Sequence, residues 1–66
     1  MERVWVVVGV NRDFDGHAWK FPVCVCREES KAREKGALWV REQNDYNKST
    51  GQLLHASYEM SWFQVI

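Results

Sequence analysis

Two cysteines and two histidines are the first residues of this chain that could do chemistry. Cys24 and Cys26 are one residue apart, and His17 and His55 lie on either side of them in the sequence. Thiolate and imidazole are ligands zinc favours, so a Cys2His2 centre is the metal chemistry to consider. Structural zinc sites place two to four residues between paired cysteines, and here only Val25 intervenes. A disulfide between positions this close would be strained. The simpler reading makes both thiols small apolar side chains, with no metal or other cofactor required.

Asn11, Asp13, Asp15 and Gly16 match the opening of a calcium-binding loop, but Pro22 stands where its twelfth-position glutamate belongs. A tight turn accounts for the same residues, because Asn and Asp bond their own backbone and Gly supplies positive φ. His17, His55, Asp13 and Asp15 offer acids and bases, yet nothing sets a nucleophile beside a base, and Ser49 and Ser57 sit in no motif. The chain is therefore expected not to be an enzyme. Lys31, Arg33, Lys35 and Arg41 are interleaved with Glu28, Glu29, Glu34 and Glu42, the pattern of a solvated helix with ion pairs three or four residues apart. Nine basic residues balance nine acidic ones, whereas a dedicated nucleic-acid binder carries a basic surplus to neutralise phosphates. A small nucleic-acid-binding protein, with Trp5 or Trp19 stacking on bases, is the alternative reading.

The elements that must position these residues follow from pattern. Val4 to Val10 is β-branched and aromatic without polar alternation, as in a central strand. Gly9 suggests a bulge or bend near its end. Asn11 to Gly16 is dense in turn formers and joins it to a second strand, Ala18 to Cys26. Strict alternation puts Trp19, Phe21, Val23 and Val25 on one face of that strand and Lys20, Pro22, Cys24 and Cys26 on the other. Pro22 cannot donate to a ladder, so this strand lies at an edge or contains a bulge. Residues 27 to 44 read as the one helix, its inward stripe formed by Ala32, Gly36, Trp39, Val40, Gln43 and Tyr46, with Leu38 partly exposed. Gly36 costs about 1 kcal/mol of helix propensity against Ala, which a close helix–sheet approach would offset. Residues 45 to 51 end the helix, 52 to 57 are a short strand or an anchored loop, and Tyr58 to Ile66 is the last strand. The expected fold is one α+β domain spanning residues 1–66. Its three-stranded sheet, in order 2-1-3, has an antiparallel hairpin plus a third strand, packed on one helix in the order β-β-α-β. No apolar run approaches the ~20 residues of a membrane span. The start of the chain lacks signal-peptide features and the two cysteines form no secreted disulfide framework, so a cytoplasmic location is expected.

One helix covers one face of a sheet. Aromatics make up 14% of the chain, and several large apolar groups are left for the other face. An apolar patch of that kind marks an interaction surface. Trp5, Val7, Trp19, Trp62 and Phe63 are the candidate partner-binding residues, because aromatics dominate binding hot spots.

The chain also resembles a loose group of small proteins encoded by phages and prophages. The likeness lies in the apolar first strand Val4 to Val10, the loop Asp13-Phe14-Asp15-Gly16, the helix opening Glu28-Glu29-Ser30-Lys31-Ala32 and a closing strand that ends the sequence. This chain is less acidic and richer in tryptophan than that group. The resemblance implies an accessory protein that binds or inhibits a host protein. The partner is expected to be another protein, either a host protein or a second copy in a homodimer.

Overall fold

The computed structural model describes residues 2–65. Strand β1 is Glu2–Arg12, β2 is Ala18–Cys26, helix α1 is Glu29–Ser49 and β3 is His55–Val65. The sheet order is β2-β1-β3, and β1 runs antiparallel to both neighbours. The α+β architecture and strand order are those expected from the sequence. Strand β2 has the bounds its pattern suggested, while β1 and β3 run longer, because their mutual pairing holds polar ends such as Arg12 and His55 in the ladder. Ile66, expected in the last strand, lies outside the described residues.

The hairpin loop is organised by Asp13. Its Oδ1 accepts the backbone N–H groups of Asp15 at 3.0 Å and His17 at 2.9 Å, and its own N–H donates to the His17 carbonyl. Gly16 adopts φ 87°, which closes the turn without a Cβ penalty. At the same end of the domain, α1 stops in a Schellman arrangement. The N–H of Gly51, at φ 73°, donates to the Lys48 carbonyl, and the N–H of Gln52 donates to the Asn47 carbonyl. The helix therefore continues past Asn44, where its polar residues suggested an end.

Pro22 lies on an edge strand and beside a bulge. Val7 pairs with Cys24 while Val8 pairs with Pro22, leaving Val23 as the extra residue. This bulge changes which side chains share a face. Trp19 and Phe21 point to the helix side, and beyond the bulge Cys24 and Cys26 do so, while Val25 turns to the other face. Strict alternation through Val23 and Val25 fails there, because an inserted residue reverses the parity of everything after it.

On β1 the row facing α1 is Trp5, Val7, Gly9 and Asn11. Gly9 is regularly paired, with Phe21 and Tyr58, and makes no bulge. Its role is space: a Cβ on Gly9 would lie 2.5 Å from the Trp39 ring. Gly36 is the matching gap on the helix, where a Cβ would lie 2.6 Å from the ring of Tyr58. The helix thus seats Trp39 over Gly9, and β3 seats Tyr58 against Gly36. Ala32, Gly36 and Asn47 are the buried helix residues. Asn47, four residues after Gln43, takes the inward position, and Tyr46 is exposed. Asn47 Nδ2 donates to Asn11 Oδ1 at 3.3 Å, and Gln43 Nε2 donates to Asn47 Oδ1 at 3.2 Å. Leu38 is exposed, as its place off the stripe implied.

Candidate interaction surface

The face of the sheet away from α1 carries Val4, Val6, Val8, Val10 and Arg12 from β1. Beside them stand Lys20, Pro22 and Val25 from β2, and His55, Ser57, Glu59, Ser61, Phe63 and Val65 from β3. This face has two unlike halves. Near the hairpin loop it is polar. Lys20 Nζ meets Glu59 Oε2 at 3.3 Å, and because Lys20 pairs with Val10 and Glu59 with Val8, the ion pair crosses β1 between those valines. Val10 beneath it is fully buried. The other half has no such cover. Val25 is 64% exposed, Phe63 55% and Val65 42%, with half-buried Val4 and Val6 between them. Arg27 and Glu2, 3.6 Å apart, stand at its margin. An apolar centre with charged margins is the common layout of a protein interface. The loop after the helix does not fold over this half: Leu53 and Leu54 instead line a cleft of about 610 Å³ with Arg12, Phe14, Lys48 and His55, beside the hairpin loop.

The five residues singled out in the sequence do not form one surface. Val7 is fully buried under α1 and belongs to the core. Trp5 is half-buried and points to the helix side. Trp19 and Trp62 are exposed but also lie on the helix side, near opposite ends of the sheet, and the Arg3 guanidinium sits 4.4 Å over the Trp62 ring. Phe63 alone stands on the open face. The reason is the parity of β1, since the row with Gly9 and Asn11, rather than the row of four valines, receives the helix. Val25 was missed, and Val65 stood with Phe63 in one of the two outward sets that β3 allowed. A bulge at Pro22 was one of two options for β2, and choosing it would have turned Val25 outward.

The chemistry-bearing residues are separated by the fold. His17 precedes β2 and Cys24 and Cys26 close it, so imidazole and thiols stand roughly 20 Å apart along a strand rising about 3.3 Å per residue. His55 pairs with Arg12 at the histidine end. The two cysteines therefore cannot share a zinc ion with either histidine. Their sulfurs are 3.6 Å apart on the helix side, both half-buried. Burial and the adjacent Cys26 thiol push the Cys24 thiol up, against a smaller opposing effect from Lys35. A raised value leaves less thiolate near neutral pH. Native Cys24 is accordingly expected to react severalfold more slowly with iodoacetamide at pH 8 than in the urea-unfolded chain, the gap closing as pH rises. Peptide mass spectrometry reads this, and equal native and unfolded rates would contradict it.

Asp13, Asp15 and His17 hold potential ligand atoms within 4.8 Å of one another. The Asp13 carboxylate is already occupied by the loop. Desolvation raises its pKa, but the N–H groups of His17 and Asp15 and the His17 ring outweigh that and hold it below the usual value. Among the described residues, no helix is long and apolar enough to cross a membrane. No family model, curated protein or solved structure matches the chain.

Proposed function

We propose that this chain is a non-enzymatic protein-binding module of the accessory or inhibitory kind found among small phage proteins, and that it acts as a homodimer on a host protein. The observation that carries the reading is the uncovered apolar half of the open face, where Val25, Phe63 and Val65 are exposed around half-buried Val4 and Val6. A domain of this size has few apolar groups to spare from its core. Here three large ones stand together in solvent while a charged pair covers the valines beside them. Contiguous exposed patches of this sort are interaction sites more often than plain surface.

The test uses Val25→Glu, on the edge strand away from β3, where exposure lets the fold accept the change. A partner captured by the wild-type chain and then purified is expected to bind Val25→Glu at least tenfold more weakly, about 1.4 kcal/mol. Equal affinity would remove the patch from the reading. Retention on DNA or RNA that falls steeply with salt, with no protein partner, would replace it by the nucleic-acid alternative.

A further inference from the structure

The sheet has two edges, and they are built differently. The β2 edge carries several devices that stop a strand from pairing with another chain. Pro22 has no N–H to donate, Val23 bulges out of register, and Lys20 adds charge. The β3 edge carries almost none. It is eleven residues long, pairs with β1 without a register break, and contains no proline, glycine, lysine or arginine. Its single carboxylate, Glu59, is drawn inward across β1 by Lys20.

One hydrogen bond tells which groups this edge offers. The Ala56 N–H donates to Asn44 Oδ1 of α1 at 3.0 Å rather than along the ladder. The N–H and C=O of a strand residue point to one side and alternate along the chain. With Ala56 turned outward, Tyr58, Met60, Trp62 and Gln64 also present theirs to the outer edge. Asn44 stops the free edge at its start, so the open stretch is residues 58–64, with Ser61 at its centre.

We propose that a second copy of this chain occupies that edge, pairing β3 with β3 antiparallel about a two-fold axis at Ser61. This deepens the protein-binding reading above and rests on it. Three observations favour a second copy over a foreign strand. First, a two-fold pairing uses the unguarded edge of both copies and leaves only the two guarded β2 edges outside, whereas a foreign strand would leave its own edge open. Second, the register is self-complementary. Met60 faces Trp62 of the other copy, a favourable sulfur–aromatic pair, Tyr58 faces Gln64, Glu59 faces Phe63, and Ser61 faces itself. The two Glu59 carboxylates stand about 14 Å apart, four residues at roughly 3.4 Å each, beyond the ~8 Å screening length at physiological salt. Third, a formal net charge of zero leaves no overall repulsion between copies. About eight backbone hydrogen bonds would join the two sheets into one of six strands.

Sedimentation equilibrium at high micromolar concentration is expected to give twice the 7.8 kDa chain mass for the wild type and the single mass for Ser61→Lys. That change sets two ammonium groups opposite each other at the axis, on an exposed side chain the monomer does not need; circular dichroism checks that the fold persists. A second variant reads the register. In a Cys24→Ser/Cys26→Ser background, Ser61→Cys is expected to form a cross-linked dimer with oxidised glutathione, because residues opposed in a non-hydrogen-bonded pair sit ~4.5 Å apart at Cα, within disulfide reach. Ser57→Cys in the same background should not cross-link. A monomeric wild type, or a dimer indifferent to Ser61→Lys and not linked through Ser61→Cys, overturns the proposal. Such a result combined with weakened partner binding by Val25→Glu would leave the protein-binding reading standing and remove only the self-pairing.

Discussion

Gly9→Ala is expected to cost about 3 kcal/mol of folding stability, the upper range for forcing an extra carbon into a packed core. The added Cβ would stand 2.5 Å from two carbons of the Trp39 ring. Moving Trp39 aside would lift a half-buried ring off β1 and away from the Phe21 ring of β2, whose centroid is 6.3 Å away at 37°. A domain of this size has a total stability of roughly 3–5 kcal/mol, so the variant should be largely unfolded at room temperature. Urea denaturation at fixed protein concentration reads the change. Combining it with Trp39→Leu should recover part of the loss, because the smaller side chain vacates the space the new methyl needs. A Gly9→Ala protein as stable as the wild type would mean that the helix does not sit on β1 at this point.

Asn47→Leu should cost about 2–3 kcal/mol, although it replaces a polar side chain in the interior by an apolar one of similar length. The buried amide both donates to Asn11 and accepts from Gln43. Its loss leaves Asn11 Oδ1 and Gln43 Nε2 in a largely dry site without partners, and unsatisfied buried groups carry the full desolvation penalty. Asn11→Val should be similarly harmful alone. The double variant Asn11→Val/Asn47→Leu is expected to cost less than the sum of the singles, with a coupling of about 1 kcal/mol or more, because the second change removes a group that the first had stranded. Strict additivity in this cycle would show that the two amides do not depend on each other.

Both sites show where the sequence was legible and where it was not. The need for Gly36 to admit a close neighbour could be read from a glycine set inside an otherwise good helix. The same logic was available for Gly9 but competed with a bulge, which a glycine in a strand equally suggests. Asn11 looked like a turn residue, because asparagine is common there and the turn begins two residues later. Its partner Asn47 sits in a polar stretch that resembled the end of a helix. Neither could be recognised as buried without knowing that the other lay across from it, 36 positions away. The interaction residues suffered likewise. Phe63 and Val65 formed one of the two outward sets that alternation in β3 allowed, while Val7 went to the core and Val25 was overlooked.

Composition, turn chemistry and periodicity were enough to determine the class of fold, the order of its elements and the central place of the valine-rich strand, because each depends on neighbours a few residues apart. The choice of face was left to tertiary packing. In β1 both alternating rows are largely apolar, so hydrophobicity is nearly unchanged when the strand is turned over. The balance is tipped by fit: only the row with a gap at Gly9 accepts Trp39, and only it brings Asn11 to Asn47. The bulge at Val23 then sets which side of β2 follows, and with it which side chains remain in solvent.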